Sequence, residues 1–253
     1  MRRTRSGLAY FSGGRGDHLL LLLHGLGATA AVWRRLIPLV EESWSGRWAA
    51  PDLRGHGLSV AEAPYGYAVH AADVAELVAE LGVSRVTVLG HSFGGVVGAV
   101  LGGGWYGVEV ERVVALGVKI DWTGDEVARA QAMSVRPAQV FAGPAEAAER
   151  HLKLAGLREL IDPADPVAKA GVRRADQGWV AAFDPRAFGA VGPSVETVLS
   201  RCAAPLRLAA GSTDAMIGLD AMRRVDPDAV LLDGAGHNAH WEAPEQVARL
   251  LVS

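Results

Sequence analysis

The chain has 253 residues, half of them apolar and 21% charged, which argues against disorder and fits one α/β domain with room for an insertion. A formal charge of −3 gives no basis for a nucleic-acid surface, and Cys202, the single cysteine, leaves neither an intrachain disulfide nor a cysteine-held zinc. The start, Met1-Arg2-Arg3, is basic but lacks the apolar core of a signal peptide, and the run Leu19–Leu23 is far too short to span a bilayer, so a soluble, cytoplasmic protein with no membrane partner is the expectation.

In chain order, Leu8–Phe11 precedes a Gly13-Gly14 turn and is read as an antiparallel edge strand. Leu19–Leu23, Trp48–Ala50, Arg85–Leu89, Val113–Val118, Leu206–Ala210 and Ala229–Leu232 have strand length and no clean polar alternation, as expected of strands buried on both faces of a parallel sheet. Helical character lies between them. Over Val69–Leu81, Ala72, Ala75, Leu77, Val78 and Leu81 recur at helical spacing with Asp73, Glu76 and Glu80 between. The alternation predicts a mostly parallel, doubly wound sheet with helices on both faces. It breaks between Thr123 and Ser200, where no convincing strand is found and Glu126–Met133 and Ala145–Leu157 read as helices. The expected organisation is therefore a core of residues 1–122 and 201–253 interrupted by a mainly helical cap, 123–200.

The ends of the predicted strands carry the chemistry. The string GHSFGG at Gly90–Gly95 permits a sharp strand-to-helix turn that exposes Ser92 as a nucleophile, or else makes Ser92 a helix-capping hydroxyl. A nucleophilic serine needs a base, an orienting acid and oxyanion donors. His237 lies in the glycine-rich loop GAGHNAH after the last predicted strand. Asp214 ends GSTD after the strand before it, with Asp121 as the competing acid. The backbone N–H groups of Leu26, in His24-Gly25-Leu26-Gly27, and of Phe93 are candidates to converge on one carbonyl oxygen.

With these motifs in the order Leu26, Ser92, Asp214, His237, together with PDLRGHGLS at Pro51–Ser59 and GAGHNAHWEAPEQV at Gly234–Val247, the chain resembles the α/β-hydrolase superfamily, and within it the capped serine esterases. The likeness covers about residues 8–101 and 206–251, not the cap. It implies acyl transfer through a serine intermediate, with no cofactor and no metal. The superfamily's dehalogenases and epoxide hydrolases carry aspartate where Ser92 stands. Hydrolysis of a small ester is the leading expectation. A ligand receptor with a vestigial triad, a perhydrolase, an acyltransferase and a carbon–carbon bond hydrolase remain open on the same fold.

Rival motifs are thin. Gly90–Gly95 lacks the dinucleotide spacing, there is no Walker phosphate loop, and the pair His237 and His240 is a sparse metal set. Trp33, His91, Trp122, Met133, Phe141 and Trp179 are candidate substrate contacts, with Phe183 and Phe188 as further lining, which implies a small-molecule partner with an apolar acyl or aromatic group.

Overall fold

The computed structural model of the chain describes every residue except Val191 and Ser253. Its strands are β1 (Arg2–Arg3), β2 (Ala9–Gly14), β3 (His18–Leu23), β4 (Arg47–Pro51), β5 (Arg85–His91), β6 (Val110–Leu116), β7 (Val172–Ala175), β8 (Gly178–Ala181), β9 (Leu206–Gly211) and β10 (Val230–Leu232). Among the described residues eight of these form one sheet in the order β1-β2-β4-β3-β5-β6-β9-β10. From β4 onward neighbours run parallel, while β2 is antiparallel to both β1 and β4. The fold is thus a mostly parallel sheet with helices on both faces.

The leucine run explains how such a strand reads without alternation. Leu19, Leu21 and Leu23 point into one core, with Val86, Val88 and Val113, whereas Leu20 and Leu22 point into the other, with Leu89, Val114 and Trp33. All five leucines are fully buried, so the period of two is present in space but invisible in hydropathy. The first core is covered by α2 (Tyr67–Leu81), α3 (Phe93–Leu101) and, later in the chain, α8 (Leu219–Arg223). The second is covered by α1 (Ile37–Ser43) and the preceding 3₁₀ turn Ala30–Arg35, and at the far end of the chain by α9 (Ala239–Glu242) and α10 (Pro244–Val252).

The predicted strands differ from the observed ones at the N-terminus and in the insertion, and the Gly13-Gly14 turn expected after Leu8–Phe11 lies inside β2, with Gly13 paired to Trp48 and Gly14 to Arg47. The N-terminal strand is not the edge: Arg2–Arg3 pairs outside it, Arg2 with Tyr10 and Arg3 with Ala9. The segment between β6 and β9 is also not strand-free. It holds α4 (Gly124–Ser134), α5 (Pro144–Leu154) and α6 (Pro166–Ala170), then the antiparallel hairpin β7–β8, then α7 (Val195–Ser200). The hairpin escapes a hydropathy reading because its strands have four residues each and are largely outside the core. Within the expected cap, α7 packs on α3 and its Val195, Val198 and Leu199 join the first core, so it belongs to the helical layer of the sheet.

Close approach of α3 to the sheet sets the positions of everything above it. A Cβ on Gly94 would run into the backbone oxygens of Leu23 and His24 at the end of β3, and backbone cannot yield as a side chain can. Gly94→Ala is therefore expected to lose about 3 kcal/mol or more, measured by urea unfolding. Gly124→Ala, at a position with nothing within 4 Å of the added methyl, should be neutral or slightly stabilising. Equal midpoints for the two variants would show that the α3 contact is not constrained.

Candidate active site

At the end of β5 the chain reverses into α3 through Ser92, which has a φ of 49° and a ψ of −115°. It is the one non-glycine with positive φ among the described residues, a strained conformation that persists only where the surroundings impose it. The surroundings do so. The Ser92 N–H donates to the Leu116 carbonyl at 2.7 Å, its carbonyl accepts from Gly95 N–H at 2.9 Å, and a side chain at Gly90 would collide with the Gly94 carbonyl. Ser92 makes no side-chain capping bond to α3, so the capping role weighed from sequence does not apply.

His237 and Asp214 meet. Asp214, in the loop after β9, accepts the His237 Nδ1–H on Oδ2 at 2.7 Å, and the Met216 N–H on Oδ1 at 2.9 Å. Its side chain is 1% exposed against 22% for the imidazole. That bond fixes the proton of a neutral His237 on Nδ1 and leaves Nε2 as the basic nitrogen. Asp121, the competing acid, is 66% exposed and paired with Arg224 at 2.5 Å, away from any histidine. The link from His237 to the serine turn runs through His91, whose Nε2–H donates to the His237 carbonyl at 3.0 Å and whose ring lies 4.8 Å from the His237 ring.

The loop after β3 closes on the same point. A Cβ on Gly25 would stand 3.4 Å from the Ser92 Cβ, so this backbone lies directly against the serine. Gly27 N–H donates to His56 Nε2 at 3.0 Å and Ala28 N–H to the Gly25 carbonyl at 3.1 Å, which fixes the strands of backbone on either side of the Leu26 amide. Phe93, as the first residue of α3, has an N–H with no carbonyl partner in its own helix, and the helix dipole favours negative charge there.

Several residues that a motif reading did not single out hold these loops. Glu242 accepts the N–H groups of Gly236 at 2.9 Å and Asn238 at 3.1 Å, bracketing His237, and the Asn238 amide donates to the Gly156 carbonyl at 2.9 Å. Asp52 accepts Ala30 N–H at 2.7 Å and Leu58 N–H at 2.9 Å, tying the Pro51–Ser59 loop to the chain beyond Gly27. The signal for Glu242 is faint: a carboxylate placed five residues beyond His237 in the sequence.

The predicted substrate contacts divide. Trp33 is fully buried and packs on His240 at 4.9 Å, so it is core. His91 is also buried, with its ring against those of His237 and His240. Trp122 is half exposed and lies along Lys119. Phe141, in the loop between α4 and α5, pairs by backbone bonds with Trp179 on the edge of β8 away from β7, with Arg174 over the tryptophan. Met133 lines a cavity of about 300 Å³, as do Phe183 and Phe188. Among the described residues no group of His, Cys, Asp or Glu is placed to hold a metal ion, and no helix is long and apolar enough to cross a membrane.

A profile of the alpha/beta hydrolase family matches residues 20–250. The chain is 37% identical over 105 residues to the magnesium-chelatase 30 kDa subunit of Rhodobacter capsulatus, 41% of this chain and 35% of that one. It is 40% identical over 82 residues to a human serine hydrolase-like protein, 31% of this chain and 39% of that one. The matches thus span little more than a third of these relatives' lengths. A thioesterase domain from the curacin biosynthetic pathway superposes with a TM-score of 0.78 at 18% identity, covering 97% of this chain and 95% of that domain, which speaks for the fold.

Around the serine turn lies a set of buried histidines, and burial is the main cause holding each of them neutral. His24 and His151 are pushed down to about 4 and His240 to about 3, with His56 and His91 well below the usual imidazole range. In the unfolded chain the same rings take up protons near pH 6.5. Between these limits the unfolded state binds more protons, so stability falls as pH drops, by about 1.4 kcal/mol per pH unit for each ring that stays neutral. The urea midpoint should therefore be clearly lower at pH 5 than at pH 7, with a shallower slope in His240→Phe. Identical midpoints would mean that these rings take up protons in the fold as readily as in the unfolded chain.

Proposed function

The chain belongs to the alpha/beta hydrolase family, and on that footing we propose that it is a serine hydrolase acting on a carboxylic ester or related acyl compound. The observation that carries this reading is the bond of His237 to the buried Asp214 carboxylate at 2.7 Å, in loops that close on the strained turn at Ser92. A paired, oriented imidazole beside a serine forced out of the sheet is the arrangement acyl transfer needs.

Ser92 Oγ attacks the substrate carbonyl while His237 Nε2 takes its proton. Asp214 keeps the proton on Nδ1 and stabilises the imidazolium that results. The tetrahedral oxyanion is received by the N–H groups of Leu26 and Phe93, the latter aided by the α3 dipole. Collapse expels the alcohol or thiol, protonated by His237, and leaves an acyl-serine. His237 then activates water against that acyl group, and the second collapse frees the acid and restores Ser92. A serine at this position makes an ester the fitting substrate, because an aspartate nucleophile serves the dehalogenase and epoxide routes.

The segment between β6 and β9 supplies the cover. Its α5 lies against the oxyanion loop, since a Cβ at Gly27 would meet the Leu154 backbone oxygen at 2.9 Å. Water exclusion over the serine strengthens the oxyanion bonds and gives the acyl group its enclosure.

The test is replacement. Ser92→Ala should lower kcat on p-nitrophenyl esters by on the order of 10³-fold or more with an unchanged circular dichroism spectrum. A fluorophosphonate should label Ser92, located by mass spectrometry, and only in the folded protein. Near-native kcat in the variant would remove the serine from the mechanism. Asp214→Asn should cost orders of magnitude through the wrong imidazole tautomer, and Asp121→Asn little. The reverse ranking would assign the acid to the loop after β6.

A further inference from the structure

The cavity of about 300 Å³ has a feature that an apolar acyl pocket does not need. Beside Met133, Leu154, Phe183 and Phe188 it is lined by Arg136 and Arg150, and no Asp or Glu is among its lining residues. Arg186, whose neighbour Pro185 also lines the cavity, is neutralised by Asp184 at 2.6 Å. Among the described residues Arg136 and Arg150 have no carboxylate within ion-pair distance and no aromatic ring beneath them.

The cavity adjoins the loops around the proposed reaction centre through its walls, while Ser92 and His237 themselves are not among its lining residues. Leu154 faces the cavity and its backbone abuts Gly27, and Phe183 lies 4.9 Å from His56, the ring that accepts the Gly27 N–H. Arg150 precedes Leu154 by one turn of α5, so its backbone stands roughly 6 Å further along the helix. The order along the wall is oxyanion loop, apolar side chains, guanidinium. Arg136, exposed in the bend after α4, lines the same cavity as the half-buried Arg150 of α5, so charges from two segments face one space. A guanidinium beside phenylalanine and methionine, without a protein anion, is open to an anion from outside, which it binds through paired N–H donors.

We propose that this cavity takes the anionic end of the substrate: the ester is one whose apolar segment ends in a carboxylate or another oxyanion held by Arg136 and Arg150. The inference rests on the serine hydrolase reading and adds the substrate class to it. It also revises the apolar acyl or aromatic group expected from sequence into an amphipathic one.

The experiment compares kcat/KM for mono-p-nitrophenyl adipate, p-nitrophenyl hexanoate, and the hexanoate of a nitrophenol that bears a carboxylate. The wild type should prefer one of the charged esters over the neutral one, and which of them it prefers says whether the anion sits on the acyl or the leaving side. In Arg136→Ala/Arg150→Ala that ratio of charged to neutral should fall by about 10- to 100-fold. Arg150→Glu should push it lower still, and salt should weaken the wild-type preference. Fluorophosphonate labelling of Ser92 monitors the integrity of each variant. Labelling with no charge preference in the wild type, or a ratio unmoved by the substitutions, overturns the anion site while leaving the hydrolase reading in place. Absence of labelling in the wild type overturns the reading beneath it.

Discussion

The whole arrangement depends on a backbone held where backbone resists going. Ser92 has a left-handed φ, and nothing about a serine favours that state. It is kept there because β5 and α3 are pressed together across Gly90 and Gly94, with no side chain between helix and strand and the serine N–H bonded to the neighbouring β6. The cost of the strained residue, of order 1–3 kcal/mol, is borne by a doubly buried sheet that cannot relax without opening its core. The same closeness that strains Ser92 brings the Gly25 backbone against it and aims the first amide of α3 outward. One packing constraint thus produces the nucleophile's exposure and the donors that the proposed mechanism asks for.

Around that turn the protein uses histidine as a neutral bridge. His24 accepts the Leu53 N–H on Nε2 and donates from Nδ1 to the Gly25 carbonyl, and His56 does the same between Gly27 and Arg54. Each ring ties two loops together with one donor and one acceptor, which only the uncharged form provides. Burial enforces that form. Of the rings around the turn, the one that pairs with a carboxylate, His237, is the partly exposed one. Depressed basicity in the surrounding rings and an acid partner on this one set the bridging histidines apart, by environment alone, from the one the proposed mechanism uses.

What the sequence disclosed follows from the same physics. Strands buried on both faces announce themselves as apolar runs, and loops at their carboxyl ends announce themselves by glycine, so Ser92, Asp214, His237 and Leu26 were all visible as residues placed at one edge of one sheet. Core and pocket, by contrast, have the same composition. Nothing in Trp33 itself distinguishes a tryptophan packed on His240 from one that lines a cavity, and nothing in the sequence shows that the backbone of Phe141 extends the edge of β8 beside Trp179. Glu242 and Asn238 were invisible for another reason: their work is to satisfy backbone groups of a loop, and no periodicity marks a side chain whose partner is a peptide N–H.

The division between core and insertion carries a further step. Residues of the strand ends are fixed by the sheet and can hold a proton-transfer geometry to a fraction of an ångström, but for the same reason they have little freedom to choose among substrates. The segment between β6 and β9 packs part of α5 and α6 into the second core and meets the loops beside Ser92 through Leu154 against Gly27 and Phe183 against His56, while its exposed side chains are free to vary. On the proposed reading, charge placed there, a helical turn away from the oxyanion loop, adds little field at the serine in a solvated dielectric, yet it separates substrates with an anion from those without, since only the former finds paired N–H donors there. Specificity by charge then sits in the insertion and reactivity in the sheet, because at that separation each leaves the other undisturbed.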